Sequence, residues 1–74
     1  MKEFKYVSQN DNIAAFRDAL ETCSYGQVIS SKFDIEYIPG DYSSSLIFTP
    51  RKSTIINPID FLLLGFVVAR DYIE

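Results

Sequence analysis

The chain has 74 residues, with ten acidic and seven basic side chains, a net charge near −3, no histidine and one cysteine. That leaves room for one small domain, excludes an intrachain disulfide and leaves no ordinary zinc-ligand set. The charge has the wrong sign for a general nucleic-acid binder and is too small for an acidic mimic of nucleic acid.

Hydrophobic content of 47%, with 15% aromatic residues, belongs to a folding chain. A domain this small has a marginal core, and with disulfide and metal excluded the remaining support is oligomerisation or a bound partner. Met1–Tyr6 lacks the apolar core of a signal peptide, and a lone Cys23 agrees with a reducing compartment, so a cytoplasmic location is expected.

Phe4 and Tyr6 alternate with Glu3 and Lys5, which predicts a short first strand. Ser8, Asn10 and Asp11 are candidate N-caps, with Ser8 and Asp11 approximating a capping box. Ile13, Phe16, Ala19, Leu20 and Cys23 then share one stripe of an amphipathic helix, opposite Arg17, Asp18 and Glu21. Gly26 is placed to stop that helix.

A hairpin is expected next. Ile29, Ser31, Phe33, Ile35 and Tyr37 alternate with Ser30, Lys32, Asp34 and Glu36, and Pro39-Gly40 supplies the turn. A two-residue turn sets Tyr37 opposite Tyr42, Phe33 opposite Leu46 and Ser31 opposite Phe48. Every large side chain of the returning strand except Ile47 then shares the face of Phe33 and Ile35. Pro-Gly suits hairpin twist poorly, so a loop longer by a residue or two is the alternative. The other face, with Lys32, Asp34, Glu36, Ser43 and Ser45, is polar and faces water.

After a loop at Pro50–Ser53, Thr54–Ile56 is a candidate edge strand. Asn57-Pro58 then opens a helix running to Glu74, with Asn as the cap, Pro at the first position and Asp60 in the first turn. Its apolar run, Phe61–Ala69, spans roughly 14 Å at helical rise against a hydrocarbon core of about 30 Å, too short for a membrane span. On a helical wheel Phe61, Leu62, Gly65, Phe66, Val68, Ala69, Tyr72 and Ile73 form the arc that faces the sheet. Asp60, Arg70, Asp71 and Glu74 mark the wet side. Leu63 and Val67 fall within that wet side and Leu64 at its margin, so Leu63, Leu64, Val67 and Arg70 are the candidate interface.

Catalytic candidates are few. Cys23 has no histidine partner and lies on the buried stripe. Asp34 and Glu36 share a solvated face, and Ser43-Ser44-Ser45 has no base or glycine-rich turn beside it. The three glycines, Gly26, Gly40 and Gly65, form no phosphate-binding loop.

The element order is therefore β-α-β-β-(β)-α, an α+β two-layer sandwich with a small antiparallel sheet of three or four strands and two helices. No enzyme activity, cofactor, metal or membrane association is expected. The leading reading is a small protein–protein interaction module, homodimeric through the last helix. Its compact length would suit an accessory or mobile-element regulator that binds a larger protein. The alternatives are a nucleic-acid contact through Arg51, Lys52, Lys2 and Lys5, and a docking subunit of a larger complex.

Overall fold

The first strand, β1 (Phe4–Gln9), leads directly into helix α1 (Asn10–Thr22) in the computed structural model, which describes residues 2–52 and 54–73. A second helix, α2 (Ser24–Lys32), strands β2 (Phe33–Ile38) and β3 (Ser43–Pro50), and helix α3 (Ile59–Val67) follow. A π-helical turn, Val68–Tyr72, continues α3. Ser53 of the expected loop and Glu74, the expected end of the last helix, lie outside the described residues.

The three strands form an antiparallel sheet in the order β1-β3-β2, so β3 is central and the other two are edges. The α+β class stands, with three helices where two were expected. Alternation assigns the sheet faces correctly. Phe4, Tyr6, Leu46, Phe48, Phe33 and Ile35 point to the core, whereas Ile47 pairs with Lys5 and Glu36 on the outer face.

The segment Ser24–Lys32 corrects the expected strand. Ile29 is its only fully buried aliphatic residue, and one such position fits either a helical or an alternating period. Tertiary contacts decide for the helix. Gly26 does not end α1; it lies in the first turn of α2, pressed against the α1 backbone at Ala19 and Leu20. Cys23 is extended between the two helices. The last carbonyls of α1, which a helix end leaves unpaired, are then bonded by α2. Ser30 Oγ donates to Leu20 O and Gln27 Nε2 to Glu21 O, each at 3.0 Å.

With β2 starting at Phe33, the hairpin register moves by four residues: Phe33 faces Pro50, Ile35 faces Phe48 and Tyr37 faces Leu46. The expected Tyr37–Tyr42 pair does not form, and Tyr42 is exposed in the connecting loop. An even shift leaves the side chains of Phe33–Ile38 and of β3 on their expected faces. The longer loop is held by Asn10, whose amide donates to Gly40 O at 3.1 Å and Asp41 O at 3.0 Å. The buried Ser44 hydroxyl donates to Asn10 Oδ1. Asn10 thus fastens a loop instead of capping α1, and among the described residues no side chain caps the N-terminus of that helix.

Thr54–Ile56 forms no strand. The start of α3 is as expected in substance: the Ile59 N–H donates to Asn57 Oδ1 at 3.1 Å. Beneath α3, the Phe61 ring meets Phe4, Phe33 and Phe48 edge-on at 5.3–5.7 Å. Such pairs contribute about 0.5–1.5 kcal/mol each beyond the area they bury.

Candidate functional site

The side chains of α3 divide into two apolar sets. Leu64, Val67 and Val68 are buried and Phe61 and Tyr72 pack beside them. On the other side Ile59, Leu62, Leu63 and Phe66 stand 51%, 72%, 37% and 61% exposed. Those four positions are i, i+3, i+4 and i+7, the spacing of one continuous helical stripe. A helix apolar on both sides occurs where something covers both.

This corrects the expected interface. Leu64 and Val67 belong to the chain's own core, and Leu63 lies at the border of the exposed stripe. Leu62 and Phe66, expected beneath the helix, are its most exposed large side chains. The helix is turned by about a quarter to a third of a revolution from the expected setting. Two causes account for it. Asp60 marked the wet side, yet it sits partly covered with Lys32 Nζ of α2 at 3.6 Å, a partner that exists only because α2 is helical there. Arg70 and Asp71 lie in the π-helical turn, where the Ile73 N–H bonds back to Val68 O, so they leave the α-helical phase on which the wheel depends.

Arg70 borders the stripe. Its guanidinium lies 5.2 Å from the Phe66 ring centroid and forms a fork on the Asp71 carboxylate at 2.7 and 3.0 Å. The hydrogen bonds hold Asp71 below the usual carboxylate range and raise Arg70 above its ordinary value. The pair is solvent-exposed and contributes little to stability.

A second apolar feature was not foreseen. Phe4, Tyr6, Phe16, Phe48, Phe61 and Leu64 line an open groove of about 700 Å³ between β1, α1 and α3, with Lys2, Glu3 and Lys5 at its rim. Its signal in the sequence is the coincidence of aromatic residues on the inner faces of β1 and α1. Locating the groove also requires knowing that β1 is an edge.

The basic residues do not form a single-sign patch. Arg51 Nε donates to Asp34 Oδ1 at 3.0 Å and Arg51 Nη1 to Ser31 O at 3.3 Å. Lys5 shares an outer-face row with Ile47 and Glu36, and Glu3 accepts from Thr49 Oγ1. Lys52 is exposed, and Lys2 lies along the groove. Acidic side chains thus interrupt the surface that the nucleic-acid reading needs.

The remaining chemistry-bearing groups have structural surroundings. Cys23 is buried and free, Ser44 is bonded to Asn10, and Asp34 is paired with Arg51. Among the described residues no three His, Cys, Asp or Glu side chains gather to hold a metal, and no helix is long and apolar enough to cross a membrane. No known family model matches the chain, and comparison with curated proteins and with solved structures finds no match to either its sequence or its fold.

Proposed function

We propose that this protein is a small non-enzymatic protein–protein interaction module that forms a homodimer through the outward side of α3. The observation that carries the reading is the stripe Ile59, Leu62, Leu63 and Phe66, left uncovered by a chain whose opposite helix side already fills its core. The stripe offers on the order of 400–500 Å² of apolar surface, the scale at which exposed patches mark contact sites. Two such stripes together approach the roughly 1,000 Å² at the lower end of specific interfaces. A dimer built on α3 alone is therefore a weak one. Asp60 and the Arg70–Asp71 pair at the margins provide a polar rim. A single, buried cysteine fits a cytoplasmic setting for such a module.

Sedimentation velocity over a concentration series tests this on wild type and on Leu62→Asp with Phe66→Asp. Reversible self-association of wild type that is clearly weaker, or stops at a smaller assembly, in the folded double variant supports the reading. A wild type that is monomeric throughout, or a double variant that associates as strongly and to the same size as wild type, removes it. Monomeric wild type that dimerises only with a co-purified larger protein would move the same surface to the accessory-regulator or docking-subunit reading.

A further inference from the structure

The free edge of β1 has a charge pattern that matches its own copy. The Asn10 N–H donates to Tyr42 O in phase with the β1–β3 ladder, so Phe4, Tyr6 and Ser8 direct their backbone N–H and C=O groups at β3. Lys5 and Val7 therefore turn theirs to the open edge, and Glu3, one residue before β1 and tied by its side chain to Thr49 in the same register, continues that phase. An antiparallel copy of β1 can bond there only in registers that set these outward-turned residues opposite one another.

We infer that β1 pairs with β1 of a second copy about a two-fold axis through Phe4. In that register Glu3 faces Lys5 of the second copy and Lys5 faces its Glu3, both as hydrogen-bonded pairs with opposite charges side by side on the outer face. Phe4 meets its own copy as a non-hydrogen-bonded pair, the closer of the two spacings, on the inner face where the aromatic groove opens. Moving the axis to Lys5 sets Lys5 against Lys5; moving it to Tyr6 sets Lys5 against Val7. Only the axis at Phe4 joins the unlike charges, and it joins them twice.

The other edge of the sheet has the reverse property. The Arg51 N–H donates to Lys32 O in phase with the β2–β3 ladder, so Phe33, Ile35 and Tyr37 face the open side of β2. An axis at Asp34 opposes two Asp34 side chains, one at Ile35 opposes Asp34 to Glu36, and one at Glu36 opposes two Glu36 side chains. Like charges thus guard β2 against self-pairing. The β1 contact makes one continuous six-stranded sheet from two copies and is independent of the α3 stripe. Alone, an isologous pairing of this kind closes at two copies; with the α3 contact also active, the two together carry assembly beyond the dimer.

The test reverses charges on the full chain. Lys5→Glu and Glu3→Lys are measured singly and together by sedimentation velocity at low salt, in the background of Leu62→Asp with Phe66→Asp so that the α3 contact is silent. Each single reversal changes two symmetric pairs and is expected to weaken association about tenfold or more. The double reversal is expected to restore it to within a few-fold. Backbone amide exchange on wild type gives a second readout, with the Glu3 and Lys5 amides slowing as concentration rises. Single reversals without effect, a double reversal no better than the singles, or amides whose exchange ignores concentration overturn the strand pairing. Large open assemblies that survive both reversals would point to β1 joining β2 of a neighbour and overturn it as well. A background variant that is monomeric while wild type dimerises removes the β1 contact and leaves the α3 dimer; a wild type that never associates removes both.

Discussion

Gly26→Ala separates the observed α1–α2 junction from one in which glycine merely ends a helix. A Cβ at position 26 would overlap the Ala19 carbonyl oxygen and lie 2.7 Å from both the Ala19 carbonyl carbon and Leu20 Cα. All three are backbone atoms, which cannot swing aside as a flexible side-chain tip would. The two helices must therefore move apart. Overpacking of this kind costs about 1–3 kcal/mol, and sometimes more. Separation also strains the Ser30–Leu20 and Gln27–Glu21 bonds, worth about 0.5–1.5 kcal/mol each. Against this, alanine gains about 1 kcal/mol of helix propensity over glycine. The net expectation is a loss of about 2–4 kcal/mol, from a domain whose total stability at this length is about 4–11 kcal/mol. Urea unfolding followed by far-ultraviolet circular dichroism measures it. Gly65→Ala is the control, since nothing lies within 4 Å of a Cβ there and the substitution should stabilise by about 0.5–1 kcal/mol. A Gly26→Ala protein as stable as wild type would refute the close α1–α2 contact.

Two further substitutions test the setting of α3 and the hairpin loop. Leu64→Ala should cost about 2–5 kcal/mol in urea unfolding, whereas Leu62→Ala at protein concentrations below dimerisation should stay within about 0.5 kcal/mol. The opposite ranking would mean that the helix is turned as its charges alone suggested. Asn10→Ala should cost about 1–3 kcal/mol, because it leaves the loop carbonyls at Gly40 and Asp41 without their amide donor and removes the acceptor of the buried Ser44 hydroxyl. Thermal unfolding reads the loss, and a midpoint equal to wild type would count against the Asn10-held loop.

What was legible in the sequence depended on local period. The α1 stripe of Ile13, Ala19, Leu20 and Cys23 is buried, and the strand faces hold through a four-residue register error because that error is even. Asn57-Pro58 marks the start of α3 because a cap needs only its own neighbours. The candidate interface was half legible. Composition shows that the last helix has more apolar residues than one face can hold, but choosing which of them face outward requires the partners of its charged residues. Asp60 reads as a solvent marker until Lys32 is known to reach it.

Sequence alone therefore determined the α+β class, the buried face of each strand, the stripe of α1 and the apolar excess of α3, since each follows from spacing along one segment. Tertiary structure decided that Ser24–Lys32 is helical, that the hairpin closes through a loop fastened by Asn10, and that Leu62 and Phe66 turn outward while Leu64 and Val67 turn in. Each of those choices lies between alternatives of similar local energy. Contacts between separate elements supply the difference: Ala19 against Gly26, Asn10 against Gly40, and Lys32 against Asp60.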